Sequence, residues 1–235
     1  MIRHENLNEK VIGCLKRVAP SKYSFLIFIF FYVSGMVFVF LMPQYAASSF
    51  YYGFFLGNMD VNIQLPDIIS LNYLSNHFIY YLGQYSFDIF LNNVILNVLC
   101  VFTGIALIPI ILRGLFAFSG SLTGMLVMKF GIFKAFLILL GSFHLPLEIL
   151  AALLSIDAFL KFYGSFVNAV LKHDTAAFKM SIRNEFLPLI LKIIVILAIA
   201  SVLEVFWSTW WVYIITNHYI SWHDFYFGVR SVVVY

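Results

Sequence analysis

The chain has 235 residues, of which 63% are hydrophobic, 19% aromatic and only 11% charged, with a formal charge of +3 and a mean hydropathy of +0.95. A soluble domain carries about a quarter charged residues, and a soluble fold of this size could not hide so much apolar surface. Low net charge, two cysteines and the lack of a basic stripe exclude a disordered chain, a disulfide-stapled secreted domain and a nucleic-acid binder. The expected fold class is all-α: a polytopic integral membrane protein with about five transmembrane helices plus interfacial amphipathic helices, and the lipid bilayer as its first partner.

Residues 1–22 carry Arg3, Lys10, Lys16, Arg17 and Lys22, while Leu7, Val11, Cys14, Leu15 and Val18 recur at helical spacing. This predicts a basic amphipathic helix lying in the headgroup zone on the cytoplasmic side. The apolar run 23–42 follows and is long enough to span. Pro43, Gln44 and Tyr45 come next rather than a small-x-small cleavage site, so it reads as an uncleaved anchor. Cys14 lies in the charged segment and Cys100 in an apolar run, which predicts two free thiols at different depths.

Residues 43–86 hold Asp60 and Asp67 but no Lys or Arg, so the positive-inside rule predicts an outer loop. Four further spans are expected at about 87–112, 114–128, 135–160 and 186–207. The short run 114–128 has a re-entrant alternative, turning near Ser119 to Ser121. Treating it as a span puts Arg3, Lys10, Lys16, Arg17, Lys22, Arg113, Lys161, Lys172, Lys179 and Arg183 inside, ten of the 14 Lys and Arg residues. The N-terminus is then cytoplasmic and the C-terminus outside, in a cell membrane. Asp174 is an expected N-cap for an inner helix over 174–186, whose Lys172, Lys179 and Arg183 would anchor the hairpin or dock a cytosolic partner. Beyond Phe206, the residues Trp207, Trp210, Trp211 and Tyr213 predict an aromatic interface belt, with 208–235 as an outer-surface tail.

Polar side chains inside apolar runs point to function, because each costs several kcal/mol at membrane depth unless it is partnered. His144 and Glu148 are one helical turn apart and share a face. Pro146 withholds an N–H from the Ser142 carbonyl, which predicts a kink within the span. Asn92, Asn93 and Asn97 lie in the second span, and Asn92 or Asn93 could cap the pair. Glu204 ends the fifth, ~10 Å above His144 by helical rise. The bland reading of this set is interhelical hydrogen bonding. The sharper one is a coupled polar centre that takes or passes a proton or ion. A metal site is not expected, since a His-x-x-x-Glu pair supplies only two ligands. Gly120-x-x-x-Gly124 offers a small-residue face for close packing, within the chain or in a homo-oligomer.

These same residues carry a family resemblance. Phe90-Leu-Asn92-Asn93, the Gly120 and Gly124 helix, His144-Leu-Pro146-Leu-Glu148-Ile-Leu-Ala151 and Leu203-Glu204-Val205-Phe206 together resemble the stage II sporulation protein M family over residues 87–206. The family's central motif reads Pro-His-Gly-x-x-Glu, where this chain has Phe143 and Leu145, and the family's Asn-Gly is Arg113-Gly114 here. The resemblance implies a five-span membrane subunit that anchors a cell-wall-remodelling complex in sporulating bacteria and has transport-linked roles elsewhere. Walker A, G-x-G-x-x-G, H-E-x-x-H and G-x-S-x-G motifs are missing. No catalytic residue and no cofactor are therefore expected. The expected role is a non-enzymatic subunit that anchors or scaffolds an envelope or export complex. The alternatives are a permease-type subunit driven by a separate cytosolic ATPase, and an ion- or proton-linked carrier using His144 and Glu148.

Overall fold

A computed structural model describes residues 19–45, 71–102, 107 and 110–216. Among them every regular element is helical: α1 (Lys22–Leu41), α2 (Leu71–Phe102), α3 (Ile110–Ser121), α4 (Leu122–Gly141), α5 (His144–Lys172), α6 (Thr175–Ser181), α7 (Leu187–Leu203) and α8 (Thr209–Thr216). Three continuous helical stretches are long and apolar enough to cross a membrane, namely Lys22–Leu41, Ile110–Gly141 and Thr175–Ser208. The predicted amphipathic helix before Ala19 and the tail beyond Thr216 lie outside the described residues, as does most of the expected outer loop.

Several boundaries differ from those read in the sequence. Helix α2 reaches back to Leu71, so residues 71–86 extend a helix instead of ending a loop, and it is described as far as Phe102. The expected spans 114–128 and 135–160 are redistributed. Helices α3 and α4 run on from Ile110 to Gly141, interrupted at Gly131, whose φ of 78° suits glycine. The predicted kink near Ser142 is a full break: α4 ends at Gly141 and α5 begins at His144. Pro146 therefore falls in the first turn of α5, where an N–H would have no helical partner anyway, and the Ser142 carbonyl accepts from the Leu145 N–H at 3.0 Å. Asp174 caps α6 by accepting from the Ala177 N–H at 2.9 Å. The expected inner helix 174–186 is not a separate unit, because a π-helical turn at Ile182–Phe186 carries α6 directly into α7.

Helix α5 is the centre of the molecule. Its residues Ala151 to Ala158 are all buried. Such all-round burial calls for small or apolar side chains, or polar ones met by hydrogen bonds as Ser155 and Asp157 are. On one side Ala151, Leu154 and Ala158 pack with Val101 of α2 and Leu189, Ile193 and Leu197 of α7. On another, Ala152, Leu153 and Ile156 pack with Ile110 and Leu115 of α3. Helix α7 shows the opposite economy: Leu189, Ile193 and Leu197 face inward while Leu191, Val195 and Ile199 are exposed. A helix apolar on both its buried and its exposed sides is one apolar enough to cross a membrane.

Two contacts tie α1 into the bundle. Near its middle, Gly35 crosses α3 and α4 so closely that a Cβ there would strike the Phe116 carbonyl oxygen, and a Cβ on Gly120 would strike that of Tyr32. Gly124 meets Val39 on the same face, so both members of the predicted small-residue pair are spent on intramolecular packing. At its start, Asp157 of α5 accepts three hydrogen bonds: Ser21 N–H at 2.7 Å, Ser21 Oγ–H at 2.5 Å and Ser24 Oγ–H at 2.5 Å. A carboxylate at a helix N-terminus satisfies orphan donors and complements the helix dipole.

Three substitutions separate these effects in detergent-solubilised protein followed by thermal unfolding. Gly120→Val is expected to cost at least about 2 kcal/mol, since backbone must move. Gly164→Ala, where an added Cβ meets nothing within 4 Å, is expected to stabilise by roughly 0.5 kcal/mol or more. Asp157→Ala, which strands two serines and the Ser21 N–H, is expected to destabilise by about 3 kcal/mol.

Candidate functional site

A cavity of about 450 Å³ opens between α2, α3, α5 and α7, within the size range of small-molecule sites. Helix α2 contributes one face: Tyr85, Ile89, Asn92, Asn93, Leu96 and Asn97 follow i, i+4, i+7, i+8, i+11, i+12. Helix α5 brings its first turns, with His144, Leu145 and Glu148, and Glu204 enters from the π-helical turn that follows α7. Gly114 and Ser119 complete the wall from α3. Thus His144, Glu148, Asn92, Asn93 and Glu204, scattered over more than a hundred residues of sequence, line a single space. Helical rise along straight, continuous helices puts Glu204 ~10 Å above His144. The restart of the chain at His144 and the π-helical turn beginning at Glu204 bring both to the same cavity.

Hydrogen bonding within the wall is specific. The Asn93 Nδ2 amide donates to Glu148 Oε1 at 2.8 Å. Asn97, buried to 7% exposure, donates to the Asn93 carbonyl at 2.8 Å and accepts from Ser155 Oγ at 3.1 Å. This ladder locks α2 against α5 and fixes where the Glu148 carboxylate points. By contrast His144 Nδ1 is buried and has no hydrogen-bond partner, a costly state for an imidazole nitrogen. No group of three or more His, Cys, Asp or Glu side chains could hold a metal ion among the described residues.

Backbone form matters here. Helix α3 is a π-helix over its whole length, and π-helical segments recur at functional sites because the wider coil re-aims side chains. Ser119 Oγ bonds back five residues to the Gly114 carbonyl at 2.6 Å, so one π-turn offers the cavity a glycine and a serine together. Two of the three π segments, those containing Ser119 and Glu204, supply cavity-lining side chains.

The aromatic cluster differs from a simple interface belt. Trp207 Nε1–H donates to the Gly141 carbonyl at 2.9 Å, and Trp211 Nε1–H to that of Leu137 at 2.7 Å. Gly141 lies so near the Trp211 ring that any side chain would collide with it. Phe143, Trp207 and Trp211 stack in succession at 5.9 and 6.2 Å. Two indoles therefore clamp the end of α4 beside the residue that opens α5.

The proposed docking residues are elsewhere. Lys172 ends α5, Lys179 lies on α6 and Arg183 in the turn after it; all three are exposed. Sequence reading overlooked Asp157, although its signal, a carboxylate inside an apolar run, is the one that singled out Glu148. Tyr85 was overlooked too, and only its place on the same helical face as Asn92 would have revealed it. Compared with known proteins, the chain matches no family model, no curated protein and no solved structure.

Replacing Asn93 by Ala removes a donor to Glu148 without touching the apolar core. The expected loss is about 1–2 kcal/mol in thermal unfolding. Asn92→Ala should cost less than half of that in the same measurement.

Proposed function

We propose that this chain is a non-enzymatic, multi-pass membrane protein of carrier type, in which the cavity between α2, α3, α5 and α7 takes up a proton or another cation on its way through the bilayer. The observation that carries the reading is the convergence of His144, Glu148, Asn92, Asn93 and Glu204 on one ligand-sized space in an otherwise apolar bundle. Ionisable groups are retained at membrane depth at a cost that function commonly explains.

Helix register supports the depth. Helix α1 starts level with Asp157, to which Ser21 and Ser24 are bonded, and its 20 residues span ~30 Å, the thickness of the hydrocarbon. Measured back along α5 from that level, Glu148 stands ~14 Å inward, close to the midplane. Five crossings then follow: α1, α2, α3 with the first part of α4, α5, and α7 with α8. The cationic residues Lys172, Lys179 and Arg183 fall on the cytoplasmic side, in keeping with the positive-inside rule.

In liposomes holding a pH-sensitive dye, the reconstituted protein is expected to dissipate an imposed proton or cation gradient. Glu148→Gln is expected to slow this at least about tenfold, the scale of one lost charge-assisted hydrogen bond. Equal fluxes for the variant and the native chain, with both folded, would refute the carrier.

A second reading rests on the exposed cationic end of the α5–α6 hairpin: the chain is a membrane subunit of a larger assembly, either an anchor for an envelope complex or a permease worked by a separate ATPase. The resemblance to the stage II sporulation protein M family points the same way. Charge reversal at Lys179 and Arg183 together is expected to abolish co-purification of such a partner from native membranes while leaving thermal stability within about 0.5 kcal/mol. Unchanged partner recovery would remove this reading.

A further inference from the structure

We propose that residues 1–18 pack as an antiparallel helix along an apolar seam on the C-terminal half of α5. On that half, Leu160, Gly164, Val167 and Leu171 follow i, i+4, i+7, i+11 and so share one face. All four are exposed, Leu160 to 46%, Val167 to 50% and Leu171 to 73%, and a Cβ on Gly164 would meet nothing within 4 Å. The other faces of this half are taken. Phe162 and Phe166 meet Phe178 of α6, Ser165 Oγ pairs with Ser181 Oγ at 2.7 Å, and Tyr163 Oη donates to the Phe102 carbonyl of α2 at 2.8 Å. Lipid does not account for the seam. With the start of α1 at the edge of the hydrocarbon, residues 158–172 reach ~22 Å beyond it, and the stretch from Lys161 to Glu185 carries six charged side chains, which belong in water. An apolar strip in water marks a contact surface.

The chain itself supplies the occupant. Ser21 N–H is bonded to Asp157 at 2.7 Å, so the segment ahead of it leaves from the foot of the seam, less than one turn from Leu160. From there α1 descends along the N-terminal half of α5, with Ile27, Phe28 and Phe31 packing on the cluster of Ala152, Leu153 and Ile156. The opposite direction is open to the residues before it. Leu7, Val11, Cys14 and Val18 repeat at i, i+4, i+7, i+11, the spacing of the seam. Carried onward from Ser21 and Asp157, an antiparallel register pairs Val18 with Leu160, Cys14 with Gly164, Val11 with Val167 and Leu7 with Leu171. Eighteen helical residues measure ~27 Å, enough to cover the ~22 Å of α5. Tethering at the foot of the seam gives this segment an effective concentration of about a millimolar or more, which a separate molecule would have to exceed.

The test uses the full chain in phosphatidylcholine nanodiscs with copper phenanthroline as oxidant. In a Cys100→Ser background, Gly164→Cys is expected to form a disulfide with native Cys14 inside one molecule. Because a disulfide needs Cα atoms within ~7 Å, this should run at least about tenfold faster than with Phe166→Cys, on the opposite face of α5. Thermal unfolding reports whether each variant is folded. Should Gly164→Cys fail to fold, Val11→Cys with Val167→Cys, both native cysteines changed to serine, is expected to link in the same way, whereas Val11→Cys with Leu160→Cys, ~10 Å out of register, is not. With the native cysteines in place, Val167→Asp is expected to speed trypsin cleavage at Lys16 and Arg17 at least about tenfold, the scale of burying one valine. Equal disulfide rates for Gly164→Cys and Phe166→Cys would overturn the proposal. So would links between two molecules, which would give the seam to a second copy, or quenching of a bimane label on Cys14 by brominated lipid, which would lay the segment on the bilayer.

Discussion

A carboxylate taken out of water must be met by donors or by an opposite charge, and that demand organises this molecule around α5. The helix carries two such groups. Asp157 is met by a backbone N–H and two serine hydroxyls of the α1 entrance. Glu148 is met by an asparagine of α2. Each solution recruits a different neighbour, so the cost of carrying charge inward is what fixes α1 and α2 against the same central helix. The apolar contacts of α5 with α3 and α7 supply area but little direction, because one aliphatic face packs on another almost as well when slid by a turn.

Close backbone approach supplies the remaining specificity. Gly35 against Gly120, and Gly141 against Trp211, are places where a single methyl group would force the backbone or an indole to move. The first brings α1 onto the π-helical segment that forms one cavity wall. The second holds the end of α4 where the chain breaks and restarts at His144. Gly120 and Gly141 thus sit next to residues that line the cavity, Ser119 by one position and His144 by three.

Much of this was legible in the sequence, for reasons that differ by element. Apolar runs revealed α1 and α7 because their exposed and core-facing sides are equally hydrophobic. His144, Glu148, Asn92, Asn93 and Glu204 stood out because polar residues are rare in such runs, and the cavity gathers all five. What escaped was set by distance in sequence or by local backbone form. Asp157 finds partners 133 and 136 residues away, beyond the reach of any helical periodicity. Pro146 signals a disturbance but not whether the helix bends or stops. The start of α2 at Leu71 was hidden by a polar and aromatic composition that reads as loop.

The bond between Asp157 and the first turn of α1 has a mechanical consequence. The carboxylate that seats the start of α1 sits on the same rod as Glu148, ~14 Å along it. Any tilt of α1 that keeps these bonds must therefore carry the shaft of α5 with it.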